Sequence, residues 1–276
     1  MSAMSTPTLA SPSNPRIKAA AALRERRARD ATGLTLVDGA RELRRALESG
    51  VVVVESFVCE PLLAGEDARA ALDALAARGV PVTTTTEAAF AKVAFGDRAE
   101  GLVAVVRAPS LALDDLRPPA EPLNVVIEAV EKPGNIGAVL RSADGAGVDA
   151  VIAASPRTDL ANPNVIRASA GTIFALPMAA APTDDVLAWL RGRGVRIVAA
   201  RVDAGRAYTD KDLTGSIAIV VGSEAEGLSG AWLALDIESI HLPMLGIADS
   251  LNVSVSAAVL VYEARRQRGG GTVEAD

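Results

Sequence analysis

Apolar runs and helical stripes alternate along most of the chain. In the first half, "GLTLV" precedes an amphipathic stretch at 40–49 and "VVVVESFV" precedes 67–78. "VPVTT" then precedes 87–94, and "GLVAVV" closes the half. In the second half, "LNVVIEAV", "DAVIAA", "ALPMAA", "VRIVAA" and "IAIVVG" read as strands. Helical patterns at 136–146, 164–170 and 184–191 fall between them, and a long helix ends the chain. Strands alternating with helices of this length predict an α/β protein with a largely parallel sheet. A Pro-rich stretch, "APSLALDDLRPPAEP" (108–122), separates the halves. The expected organisation is a disordered start (1–13), an N-terminal domain (14–108), a linker (109–121), a second domain (122–268) and a disordered tail (269–276).

The segment "DSLNVSVSAAVLVYEA" begins like a strand, with Val253 and Val255 alternating with serines. Its later positions decide otherwise. Val253, Ala257, Leu260, Val261 and Ala264 form a stripe at helical spacing, and Val255, Val259 and Tyr262 form a second apolar face. The pattern predicts a helix buried nearly all round, opened by polar residues.

Half of the 276 residues are apolar, yet aromatics make up only 3%. So few aromatics argue against a base-stacking surface of the single-strand-binding type. One cysteine and one histidine exclude a disulfide framework and argue against a metal centre. No apolar run approaches the ~20 residues that span a bilayer, and the first residues lack the apolar core of a signal peptide. A cytoplasmic protein with no membrane partner and no metal is expected. Net charge is −6, but residues 14–30 carry six bases against two acids on one expected helix. That helix is either a solvated face or an arm that contacts phosphates.

Ligands of parallel sheets bind beyond the carboxyl ends of the strands. Three loops there carry candidate chemistry. "EKPGNIGAVLRSADG" offers Asn135, as a helix cap or a site residue, and Arg141 further along the helix. It lacks the G-x-G-x-x-G of a nicotinamide-binding domain. "IAIVVGSEAEGLSG" places Glu224 between Gly222 and Gly227, where glycines admit close backbone approach to a ligand. "HLPMLGIADSLNVSVSAA" leads from a strand into the final helix at Ser250 or Asn252. The lone His241 has no nucleophile or metal partner nearby in sequence and reads as structural.

Together, "NIGAVLR", "VVGSEAEGLS" and "LPMLGIADSLNVSVSAA" resemble the three signature motifs of the SpoU (TrmH-type) RNA 2′-O-ribose methyltransferases of the SPOUT superfamily. These motifs are N-x-G-x-x-x-R, G-x-E-x-x-G and P-M-x-G-x-x-x-S-L-N-V-S, and all three occur in order over about 120 residues. The two-part layout is similar to that of the thiostrepton-resistance rRNA methyltransferases. The resemblance implies a C-terminal α/β methyltransferase domain with a deep trefoil knot and a mostly parallel sheet. It also implies a small N-terminal α/β RNA-binding domain and a homodimer. The methyl donor would be S-adenosyl-L-methionine and the acceptor an RNA ribose, in rRNA rather than tRNA. By motif position, Gly222, Leu242 and Leu251 would hold the cofactor through their backbones. Asn135, Arg141, Glu224, Ser250 and Asn252 would form the polar active site, with Glu224 able to orient Arg141. Arg167 in "IRASAG" would face RNA, joined by Arg24 and Arg27 of the basic segment. The alternatives are a tRNA 2′-O-methyltransferase and a non-catalytic RNA-binding protein on the same scaffold.

Overall fold

The computed structural model describes residues 8–95 and 100–269. The expected disordered segments lie partly outside these residues. In chain order the first elements are α1 (Pro15–Ala22), α2 (Arg26–Thr32), β1 (Leu34–Asp38), α3 (Ala40–Glu48), β2 (Val53–Val58), α4 (Glu66–Ala77), β3 (Val82–Thr84), α5 (Glu87–Val93) and β4 (Leu102–Arg107). Then come β5 (Leu123–Glu128), α6 (Pro133–Gly145), β6 (Ala150–Ala154), α7 (Pro163–Ala168), β7 (Met178–Ala181), α8 (Thr183–Gly192), β8 (Arg196–Ala200), β9 (Ile217–Val221), β10 (Glu238–Ile240) and α9 (Val253–Gln267).

The chain forms two compact units. The first holds the described residues up to Pro109, and Asp159–Ala175 in addition. Its sheet has the order β1-β4-β2-β3, and β4 runs antiparallel to both neighbours. The sheet is therefore mixed, not largely parallel. Strand periodicity reports which face is buried and is silent on direction. Ile17, Leu36, Phe57, Phe90 and Val103 share the core. The returning segment is firmly part of this unit. Thr35 Oγ1 donates to the Ala161 carbonyl at 2.6 Å, and Arg45 donates to the Ala170 carbonyl at 2.7 Å.

The single basic helix expected over 14–30 is two helices. Arg29 causes the break: it is 4% exposed, bonds Asp159 at 2.7 Å and donates to the carbonyls of Leu23 and Arg24. Those carbonyls are the ones a helix end leaves unpaired. Arg16 is committed too, to Glu55 at 2.7 Å and Thr83 at 2.8 Å.

The second unit holds Ser110–Thr158 and the described residues from Leu176 onward. Its six-stranded sheet has the order β10-β8-β9-β5-β6-β7 and is parallel throughout. Every residue of β5 is buried, as expected for a strand covered on both faces. Val126, Ile152 and Val220 meet α8 residues Val186, Leu187 and Leu190 on one side. Helices α6 and α9 pack together on the sheet as well, with α9 against β9 and β5. From Ser110 onward the Pro-rich stretch read as a linker belongs to this unit: Leu116 is buried in the core, and the Leu111 carbonyl accepts from Ala180 N at 2.8 Å.

The segment with the ambiguous start is helix α9, capped by Asn252, whose side chain accepts from Ser254 N at 2.9 Å. Its first stripe is buried, and Leu260→Ala would cost about 2–5 kcal/mol. The second face is not buried in the single chain: Val255 is 46% and Tyr262 52% exposed. One helix packed on one layer can bury only one stripe.

Candidate active site

Strand order reverses between β9 and β5. The chain steps outward from β5 to β6 and β7, then crosses to β8 on the other side. Such a switch point opens a crevice at the carboxyl ends of the strands. The loops after β5, β9 and β10 all reach this crevice.

The loop after β9 is a tight turn. Ser223 N donates to Gly227 O at 3.1 Å, and Gly227 N returns a bond to Ser223 O at 3.0 Å. Gly227 has φ +67°, which favours glycine. A Cβ on Gly222 would lie 2.3 Å from the Gly227 carbonyl group, so no side chain fits there. Downstream, buried Glu128 at the end of β5 fastens the turn. It accepts from Ser229 N at 2.7 Å, Ser229 Oγ at 2.8 Å and Thr183 Oγ1 at 2.9 Å.

The turn carries Glu224 into a polar cluster. Asn135 Nδ2 donates to Glu224 Oε1 at 2.8 Å, and Lys132 Nζ donates to Oε2 at 2.8 Å. Asn252 Nδ2 also donates to Glu224, and lies 3.3 Å from Asn135 Oδ1. Asn135 is therefore not a helix cap; α6 starts two residues earlier, at Pro133. The Lys132 ammonium holds the Glu224 carboxyl below its usual range, against the opposing effect of burial and with help from the Asn135 amide. The same bond raises the Lys132 pKa.

Beside the cluster lies a cleft of about 440 Å³ lined by 200–203, 221–224, 226–228, 249–251, Val253 and Ser256. Gly222, Ser250 and Leu251 are thus on its wall, and Leu242 and Met244 line a small adjoining cavity. Among the described residues there is no group of three or more His, Cys, Asp or Glu placed to hold a metal, and no helix is long and apolar enough to cross a membrane.

The model of the SpoU rRNA methylase family matches residues 122–262, which contain every residue of the cluster and the cleft. The chain belongs to this SpoU family. Residues 14–104 match an MRM3-like substrate binding domain. The chain is 29% identical over 252 residues to the 23S rRNA (guanosine(2553)-2′-O)-methyltransferase of Bacillus subtilis (strain 168), covering 91% of this chain and 96% of that one. It superposes with TM-score 0.84 on a crystal structure of an RNA 2′-O ribose methyltransferase, at 42% identity, covering 95% of this chain and 99% of the other. The SpoU methyltransferase AviRb from Streptomyces viridochromogenes, crystallised with its cofactor AdoMet, superposes with TM-score 0.83 at 30% identity, covering 94% and 99% of the two chains.

S-adenosylmethionine is the cofactor of this SpoU fold, and the residues fit it. The glycine-walled cleft has the volume of an ordinary small-molecule site, and Gly222 presents bare backbone to it.

Other SpoU motif residues lie elsewhere. Arg141 is exposed on α6 and does not line the cleft. The expected Glu224–Arg141 pairing is replaced, because the carboxylate is taken up by Lys132, Asn135 and Asn252. Arg167 belongs to the first unit, where it donates to Phe95 O at 2.8 Å and lies 3.3 Å from Asp38. Arg24 donates to the carbonyls of Lys92 and Ala94, so its charge is partly committed to the fold. Arg27 is exposed. Sequence reading passed over Lys132 and Glu128. The signal for Glu128 was an acid ending an otherwise apolar strand, since an acid is rarely fully buried unless it is paired.

Proposed function

We propose that this chain transfers a methyl group from S-adenosylmethionine to a ribose 2′-hydroxyl of ribosomal RNA, acting in the cytoplasm as a homodimer. The observation that carries the reading is the convergence of Asn135 in the first turn of α6, Glu224 in the turn after β9 and Asn252 at the cap of α9, at the edge of the glycine-walled cleft. The name of the Bacillus subtilis relative, a 23S rRNA methyltransferase, supports the substrate class.

When bound along Gly222, Leu242 and Leu251, the cofactor supplies an electrophilic methyl group on a cationic sulfur. The protein's part is to hold the ribose oxygen in line and to ease loss of its proton. Asn135 and Asn252 offer amides, fixed by Glu224, that orient the ribose. Ser250 stands on the cleft wall where it can hydrogen-bond the substrate or the cofactor. Glu224 is held as a carboxylate and Lys132 as an ammonium, so neither has the pKa of a general base at neutral pH. Arg141 supplies a guanidinium to the phosphate beside the target and to the developing 2′-oxyanion. Arg167, Arg24 and Arg27 lie in or with the substrate-binding domain and serve RNA recognition, with Arg27 the most available.

The face of α9 with exposed Val255 and Tyr262 and half-buried Val259 supports a dimer, as does the position of Arg141 outside its own chain's cleft. In the dimer Arg141 completes the partner's site. The path from β10 at the sheet edge back to α9 against β9 and β5 is consistent with the trefoil knot.

The deciding experiment incubates the protein and labelled S-adenosylmethionine with unmodified 23S rRNA and tRNA transcripts, then maps 2′-O-methyl sites. Transfer to one rRNA nucleotide is expected. Transfer to tRNA alone would move the substrate class, and no transfer to any RNA would favour a binding protein.

A further inference from the structure

A second cleft, of about 450 Å³, opens at the carboxyl ends of β5, β6 and β7. It shares a wall with the cofactor cleft, because Glu226 and Gly227 line both. Its floor is polar and ordered: the hydroxyls of Ser155 and Thr183 lie 2.9 Å apart, and Thr183 and Ser229 both donate to Glu128. Ala129, Pro182, Gly227 and Ala231 give it small, flat walls. Ala129 and Ser155 take positive φ, 50° and 43°, which alanine and serine seldom adopt. Strain of this kind gathers at functional sites.

Arg157 stands at the rim. It bonds Glu131, in the loop that also carries Lys132, and Glu226, in the turn that carries Glu224. A guanidinium is planar and donates from its edges, so two carboxylates can hold it while its face stays open. The two tryptophans are buried. Among the described residues, no aromatic side chain lines this cleft or the cofactor cleft. Bases stack on arginine planes as well as on aromatic rings.

We propose that this second cleft receives the base of the target nucleotide, stacked on Arg157 and hydrogen-bonded by the Ser155–Thr183–Ser229 floor. The proposal rests on the methyltransferase reading above. A base seated there places its ribose at the shared wall, beside Glu224 and the cofactor cleft. Such a nucleotide must leave its stack, as happens in other enzymes that work on single nucleotides.

The test uses the full chain and two forms of a short RNA around the mapped methylation site: one intact, one with the target base removed and its ribose kept. Removing the base should lower kcat/KM of the wild type by about 5- to 100-fold, the range that one stacked base supplies. Arg157→Ala should lose activity on the intact RNA and bring the two RNAs within about threefold of each other, a residual near or below the smallest effect of one base. Arg157→Lys keeps the charge and loses the plane, and should not rescue. Cofactor affinity and thermal unfolding should be unchanged in both variants. Equal activity of the wild type on both RNAs would overturn the proposal. So would an Arg157→Ala variant that loses activity on both RNAs by the same factor, since that describes a strut and not a base contact. No transfer by the wild type to any RNA would instead overturn the methyltransferase reading, and this proposal with it.

Discussion

The side-chain amide of Asn135 lies 2.8 Å from the carboxylate of Glu224, joining the first turn of α6 to the turn after β9, 89 residues apart in sequence. Lys132 and Asn252 complete the arrangement around the same two carboxylate oxygens. Glu224 thus binds three neighbouring side chains at once. Glu224→Gln would keep the shape and turn a donor toward Lys132 and the amides. Methyl transfer should fall by about 100-fold, the scale of losing one preorganised polar contact, with cofactor affinity nearly unchanged. Transfer of labelled methyl groups to RNA and calorimetric titration of cofactor measure the two effects. Because the Glu224 pKa is depressed, its carboxylate persists as pH falls to its ordinary range, and it should contribute no activity limb between pH ~5 and ~8.

Gly222→Ala places a methyl group 2.3 Å from the Gly227 backbone. The turn must shift, and the cofactor wall shifts with it. Cofactor affinity should drop about 10- to 100-fold by titration, the cost of overpacking a rigid site. Unchanged affinity would remove Gly222 from the cofactor site.

Arg141→Ala should lower methyl transfer by about 100- to 1,000-fold while cofactor binding persists. If Arg141 completes the partner's site, mixing this variant with Gly222→Ala rebuilds one whole site per mixed dimer and recovers activity. A mixture as inactive as its components would mean that each chain uses its own Arg141.

Asp38 is buried beside Arg167 and Phe95, and burial lifts its pKa from 3.8 to about 6. Its folded-state pKa is the higher one, so the native protein binds the extra proton between those values. Stability linked to Asp38 is therefore present at pH ~4 and lost as pH rises through ~6. The amplitude is about 3 kcal/mol at most. Asp38→Asn should flatten that part of the stability curve, and wild type and variant should draw apart as pH rises from 4 to 7 in urea melts. Parallel curves would show that Asp38 does not titrate in this range.

Much of the second unit was legible in the chain. Its parallel sheet follows from strands apolar on both faces, and the start of α9 follows from Asn252 ahead of a helical stripe. The three loops identify themselves by glycines and polar residues at strand ends. What stayed hidden depends on partners distant in sequence. Nothing near Arg29 or Arg16 says that their charges are spent inside the first unit. Nothing local sends β4 between β1 and β2, or gives Glu224 to Lys132 rather than Arg141. Burial of the second face of α9 cannot be read from one chain, because periodicity shows that a face is apolar and not what covers it.

The return of Asp159–Ala175 to the first unit has a consequence for biogenesis. Val165, Ile166 and Ile173 are buried there. During synthesis, domains generally fold as they emerge, amino-terminal part first. Here the amino-terminal part is incomplete until the ribosome has passed Ala175, when β5 and β6 of the second sheet have already been made. The nascent protein must therefore carry two unfinished halves at once. A fragment cut after Pro109 would keep a bare patch beside Thr35 and Arg45, waiting for a segment it no longer has.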